Sequence, residues 1–200
     1  MAKIIFPTDG SILVNDYSEA LHFDVEANTT RAGRTSTRML PGARWLVRMQ
    51  IGMGGRNDLA SRGVAESLIV SLRSGANVLS MYHPRKPTPL GTLAGSPTLS
   101  VAASVGANSV VVAATNGQTI KRGDLFGLGT QRVMATADAV VSGGVATLAF
   151  EPALNAALGS GTPVVWNRPT IDLIPTDPDI WMPYQGKFFQ QAIDLDLMEV

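Results

Sequence analysis

The stretch His83–Pro97 carries Pro84, Pro87, Pro89 and Pro97, with Gly91 and Gly95 among them. Proline fixes φ and lacks an amide hydrogen, so neither a helix interior nor a central strand can pass through such a segment. The chain must therefore divide here, and its composition changes at the same point. From Ala94 to Trp166 the only charged residues are Lys121, Arg122, Asp124, Arg132, Asp138 and Glu151, and the rest is largely Ala, Gly, Ser, Thr and Val. Short apolar runs at Ser109–Ala113, Leu125–Leu128, Arg132–Thr136, Val145–Phe150 and Pro163–Trp166 are separated by turn signals, clearest at Asn116-Gly117 and Gly143-Gly144. Strands this short and this evenly spaced predict a small all-β domain, a compact barrel. Within it, Gly123-Asp124 reads as a turn that launches an apolar strand, the aspartate bonding nearby amides.

The flanking parts read differently. Leu21, Phe23 and Val25 alternate with His22, Asp24 and Glu26, and Trp45, Val47, Met49, Ile51 and Met53 share one face opposite Arg44, Arg48 and Gln50. Both are the period-two pattern of half-buried strands. Val64, Ala65, Leu68, Ile69 and Leu72 recur at helical spacing, with Asp58 or Ser61 as the cap at the start and Gly75 where a C-terminal glycine belongs. At the end, Ile193, Leu195 and Leu197 alternate with Asp194 and Asp196. A lone strand is not stable, so this one is expected to return to the first sheet. The predicted fold is mainly β. Residues 1–93 and 167–200 form a β-sandwich with one α-helix, and residues 94–166 form an inserted barrel-like domain.

The 200 residues are 45% hydrophobic and only 16% charged, with 16 basic against 16 acidic side chains. The hydrophobic content argues against disorder. Zero net charge argues against a general nucleic-acid or membrane-surface binder. A surface so poor in charge suits a chain that packs against neighbours. With no cysteine, disulfides, thiolate catalysis and cysteine metal sites are excluded. No apolar run is long enough to span a bilayer, and the N-terminal residues do not read as a secretory signal. Synthesis in a cytoplasm is expected, with no membrane insertion.

Zero net charge conceals segregation. Residues 31 to 62 hold seven arginines against Asp58 alone; residues 170 to 200 hold six acids and one base, and residues 9 to 26 hold five acids and no base. Two readings follow. Arg31, Arg34 and Arg38 suit a phosphate-binding arm, since the guanidinium fork matches phosphate oxygens. Alternatively, Arg44 and Arg48 oppose Asp24, Glu26, Asp194 or Asp196 on neighbouring strands or a neighbouring subunit. The second is the stronger, because the acids lie on segments expected in the same sheet. Ala27–Thr37, rich in small polar residues, reads as a long mobile loop.

Catalysis has little to work with. His22 falls on a polar strand face and His83 precedes a proline, so both read as surface histidines. Gly52-Met53-Gly54-Gly55 lacks the context of a phosphate-binding loop. Asp172, Asp177 and Asp179 lack the calcium-loop pattern and read as solvated. Trp45 and Trp166 read as core, leaving Trp181 as a candidate glycan platform. No metal, no cofactor and no enzymatic activity are expected.

The order of parts nevertheless has a counterpart. After Trp45 comes the helix from Ala65-Glu66-Ser67-Leu68 to Gly75, then His83-Pro84-Arg85-Lys86-Pro87. Gly91-Thr92-Leu93-Ala94-Gly95-Ser96-Pro97 follows, then Lys121-Arg122-Gly123-Asp124-Leu125-Phe126-Gly127-Leu128-Gly129. The exit is Val164-Val165-Trp166-Asn167-Arg168-Pro169-Thr170, before the last apolar strand. This layout resembles the distal tail proteins of long-tailed, non-contractile bacteriophages (siphophages). The resemblance implies a β-sandwich ring domain, six copies in a ring, and an outer β-domain that in some relatives meets carbohydrate or other tip proteins. It implies a virion structural protein at the tail tip, with the tail tube and the hub proteins as partners and no catalytic residues. Subunit-interface candidates are then Arg31, Arg34, Arg38, Arg44, Arg48, Asp194 and Asp196. The alternatives are another minor tail or tube-completion protein, or a carbohydrate-binding module recognising a host-surface glycan.

Overall fold

The computed structural model describes residues 2–9, 11–23, 25–29, 35–39, 42–53, 59–73, 77–177, 179–180 and 192–200. In chain order the elements are β1 (Ala2–Ile5), β2 (Ile12–His22), β3 (Val25–Thr29), β4 (Thr35–Met39), β5 (Arg44–Met53), α1 (Leu59–Arg73) and β6 (Asn77–Tyr82). They continue with β7 (Thr98–Leu99), β8 (Ser109–Ala113), β9 (Thr119–Ile120), β10 (Leu125–Leu128), β11 (Gln131–Ala135) and β12 (Ala139–Val140). The last are β13 (Val145–Glu151), β14 (Val164–Val165), β15 (Thr170–Pro175) and β16 (Ile193–Glu199). The protein is mainly β with one helix among the described residues.

Contacts divide the chain into two compact units. One comprises Met1–Ala20, Trp45–Pro84 and Ile171–Val200; the other comprises Leu21–Arg44 and Arg85–Thr170. The proline-rich segment thus belongs, from Arg85 onward, with the second unit.

The first unit is built on a six-stranded sheet in the order β1-β6-β15-β16-β5-β2. Strands from the beginning, middle and end of the chain interleave, and the final strand does return to the sheet. β1 runs parallel to β6, while β16 is antiparallel to both β15 and β5. The alternation in β5 and β16 has its physical cause in this pairing. Trp45, Val47, Met49 and Ile51 are buried together with Ile193, Leu195 and Leu197, while Arg48, Asp194 and Asp196 are exposed on the other face. Helix α1 contacts β6 and buries Ala65, Leu68, Ile69 and Leu72, the stripe expected from its periodicity.

In the second unit the sheet β14-β10-β11-β13-β8-β7 is drawn nearly closed into a barrel. Thr98 bridges Pro163, the Leu99 amide donates to the Thr162 carbonyl at 2.9 Å, and the Val164 amide donates to the Pro97 carbonyl at 2.9 Å. These contacts join the first strand of the sheet to the last, which removes the open edges. Phe126, Phe150, Val112, Val133, Leu128 and Leu148 fill the interior. The two turn signals meet in space. Gly143 and Gly144 both have positive φ, as a tight hairpin turn requires, and the Gly144 amide donates to Asn116 Oδ1 at 2.6 Å.

Two expectations are corrected. The strand read across Leu21–Glu26 is two strands, β2 ending at His22 and β3 beginning at Val25. Of Ala27–Thr37, read as a mobile loop, residues 27–29 and 35–37 belong instead to an antiparallel hairpin in which Val25 to Thr29 pair with Met39 to Thr35, and residues 30–34 lie outside the described residues. Its threonines and valine suit a pleated backbone. Gln118, Thr119 and Ile120 likewise follow a turn that pairs β9 with β12.

Candidate interaction surface

The exposed face of the first sheet gathers the charged side chains that the alternation places there. Asp196 lies directly across from Arg48, and Asp194 across from Gln50. Arg48 Nε donates to Asp196 Oδ1 at 2.7 Å, and Gln50 Nε2 donates to Asp194 Oδ1 at 3.1 Å. The carboxylate of Asp196 holds the Arg48 guanidinium above its ordinary pKa, by hydrogen bond first and by charge second. Both side chains remain largely exposed, so this pair orients the face more than it stabilises the sheet. Beside it an open groove of about 420 Å³ is lined by Ser18, Glu19 and Ala20 of β2, Leu46 to Arg48 of β5, and Thr176, Asp196 and Leu197.

The seven interface candidates fare unequally. Arg48, Asp194 and Asp196 come together on one face, in the cross-strand arrangement. Arg44 is exposed at the start of β5. Arg38 occupies the register position opposite Glu26 in the hairpin. Arg31, Arg34 and Trp181 lie outside the described residues.

His83 overturns the surface reading. It is 6% exposed, its ring centroid lies 4.5 Å from that of Tyr17, and Nε2 is 3.6 Å from Glu19 Oε1. The Tyr17 hydroxyl donates to Glu19 Oε2 at 3.0 Å. This polar cluster fastens the residue after β6 to β2 at the far side of the sheet order. Tyr17 and His83 are buried, and Glu19 also reaches the groove that it helps to line. His22, by contrast, is exposed. Nothing local in the sequence announces the histidine's burial, because Tyr17 and Glu19 lie far away in the chain.

In the second unit Asp124 is 2% exposed and its carboxylate accepts from three amides, those of Leu90 at 2.6 Å, Gly91 at 3.1 Å and Lys121 at 2.8 Å. The Lys121 bond is the local one foreseen for this turn, and the other two clamp the proline-rich segment to the barrel. Asp138 accepts from the Arg122 amide at 2.8 Å and from Lys121 Nζ at 2.9 Å, and these donors hold its carboxyl below the ordinary 3.8. Trp45 is buried, whereas Trp166 is half-buried and donates from Nε1 to the Gly95 carbonyl at 3.0 Å. Gly52 and Met53 end β5, and Gly54 and Gly55 lie outside the described residues.

Among the described residues no group of three or more His, Asp or Glu side chains is gathered as a metal site would require, and no helix is long and apolar enough to cross a membrane. No protein-family model matches the chain, and no curated protein matches it.

Proposed function

We propose that this chain is a structural virion protein that forms a six-membered ring at the distal end of a siphophage tail, joining the tail tube to the tip and hub proteins. The observation that carries the reading is the way the chain is threaded. One sheet with a helix is assembled from the first, middle and last segments, and a nearly closed barrel occupies the chain between β6 and β15. That is the layout the sequence resemblance implies for a ring domain bearing an outer domain. The exposed sheet face, with its aligned Arg48–Asp196 and Gln50–Asp194 pairs beside a groove, is a polar surface of the kind that neighbouring subunits or tube proteins pack against. Its assembly is in the host cytoplasm and its final place the tail tip.

Light scattering on a sizing column, over a range of concentrations, tests the reading. A species of about six times the 21.1 kDa chain is expected, as for a closed cyclic assembly. A chain that remains monomeric at every concentration overturns the self-assembling ring.

A further inference from the structure

Asn116-Gly117 is the one Asn-Gly pair in the sequence. Glycine has no Cβ to shield its nitrogen, so after an asparagine that nitrogen reaches the asparagine side-chain carbon with little hindrance. Here the pair sits at the centre of a turn. The Gln118 amide donates to the Thr115 carbonyl at 3.2 Å, Gly117 has φ +83°, and both Asn116 and Gly117 are exposed to water.

Both groups that take part in such an attack are held by the neighbouring turn. The Gly117 amide donates to the Val141 carbonyl at 3.0 Å, and Asn116 Oδ1 accepts from the Gly144 amide at 2.6 Å. Two further bonds tie the same turns together, from the Ala114 amide to the Gly144 carbonyl at 3.0 Å and from the Val141 amide to the Gln118 carbonyl at 2.8 Å. The Gly117 nitrogen gives up its proton to base only when its bond to Val141 opens, and it approaches the side chain only when that peptide plane rotates.

We infer that Asn116 is the site at which this barrel is covalently modified with age, by deamidation through Gly117, and that opening of the paired turns sets the rate. Base takes the Gly117 amide proton, a bond forms from Gly117 N to Asn116 Cγ, and the bond from Cγ to Nδ2 breaks, the nitrogen leaving as ammonia. Water then opens the five-membered ring. Attack at the Cγ carbonyl restores the normal chain as aspartate; attack at the main-chain carbonyl leaves isoaspartate, with the backbone lengthened by a methylene. The two products differ in effect. An aspartate still accepts from the Gly144 amide, now as a charged acceptor, and it brings a charge to residues 94–120, which have none. An isoaspartate displaces Gly117 from Val141 and loosens the joined turns. This chemistry is independent of the ring.

Peptide mass spectrometry of the full chain, aged in mildly alkaline buffer with and without urea, tests the gate. Asn116 in the folded chain is expected to react at least about tenfold more slowly than in the unfolded chain. Below the unfolding transition its rate is expected to rise with urea in step with hydrogen exchange at the Gly117 amide, because both reactions need that same N–H released. Val141→Ala removes buried methyl groups beside the paired turns and is expected to raise both rates by about threefold or more, with the fold checked by circular dichroism. The urea series decides the matter if that variant does not fold. A folded rate equal to the unfolded one, an Asn116 rate that stays flat while Gly117 exchange rises, or another asparagine reacting first in the folded chain overturns the inference. So does a chain unreactive at Asn116 even when unfolded.

Discussion

Gly91 has almost no room around it. A Cβ there would lie 2.3 Å from the Thr119 carbonyl oxygen and 2.9 Å from Asp124 Oδ2, and its amide is one of the three that Asp124 accepts. Gly91→Ala must push backbone against backbone or break the clamp. A loss of about 1–3 kcal/mol is expected, read as a lowered denaturation midpoint. Asp138 gives a prediction in pH. Its folded pKa lies below the ordinary value because the Arg122 amide and the Lys121 ammonium favour the carboxylate. Its stabilising effect is therefore present above pH 3.8 and is lost as the pH falls through the depressed folded value. The difference in thermal stability between wild type and Asp138→Asn is expected to be positive at neutral pH and to close in strong acid. Legibility at this scale follows distance along the chain. The bond from Asp124 to Lys121 is local and could be read from Gly-Asp. The bonds to Leu90 and Gly91, like the burial of His83 against Tyr17, depend on residues that only the fold brings near.

Helix α1 shows what a clear period provides. Ile69 and Leu72 are fully buried while Val70 between them is 61% exposed, although isoleucine and valine are chemically close. Ile69→Ala is expected to cost about 2–5 kcal/mol, as for other large-to-small core changes. Val70→Lys is expected to leave the unfolding midpoint within about 0.5 kcal/mol of wild type. Equilibrium denaturation of the two variants checks the contrast. Strands with one buried face were equally legible, and β5, β8, β13 and β16 lie where alternation or short apolar runs put them, while β10, buried throughout, was marked by its apolar run between turn residues. Among the strands that the sequence does not announce, β2 and β6 are hidden for different reasons. In β2 the buried positions are Ile12 and Tyr17, an odd number of residues apart, so no single alternation runs along it. In β6 Val78, Leu79, Ser80 and Met81 are all buried, and a strand covered on both faces has no period to detect.

At the scale of the whole molecule, the prolines and the composition change mark where the second unit resumes at Arg85, but nothing in the sequence sets Leu21–Arg44 apart, and contacts place that segment with the second unit too. The charge segregation was also visible, but its resolution was not. Only strand register determines that Asp196 meets Arg48 and that Asp177 and Asp179 meet no cation among the described residues. The barrel's strands come from one continuous stretch of chain, and its seam closes on itself at Thr98 and Pro163. Replacing residues 88–167 by a short Gly-Ser link is therefore expected to leave a shortened chain that retains strand signal and unfolds in one cooperative transition. A chain with a flat melting profile would show that the sheet needs the barrel to form.

The hydrogen bond between Arg168 and Pro87 places the chain's way into the barrel and its way out side by side. For a gene under selection, that neighbouring pair of positions is a natural pair of splice sites. Recombination at both exchanges the barrel, and the path of the strands that build the sheet is left unchanged. A lineage carrying this protein can thus vary its barrel at the pace of its encounters while the sheet answers only to its own neighbours.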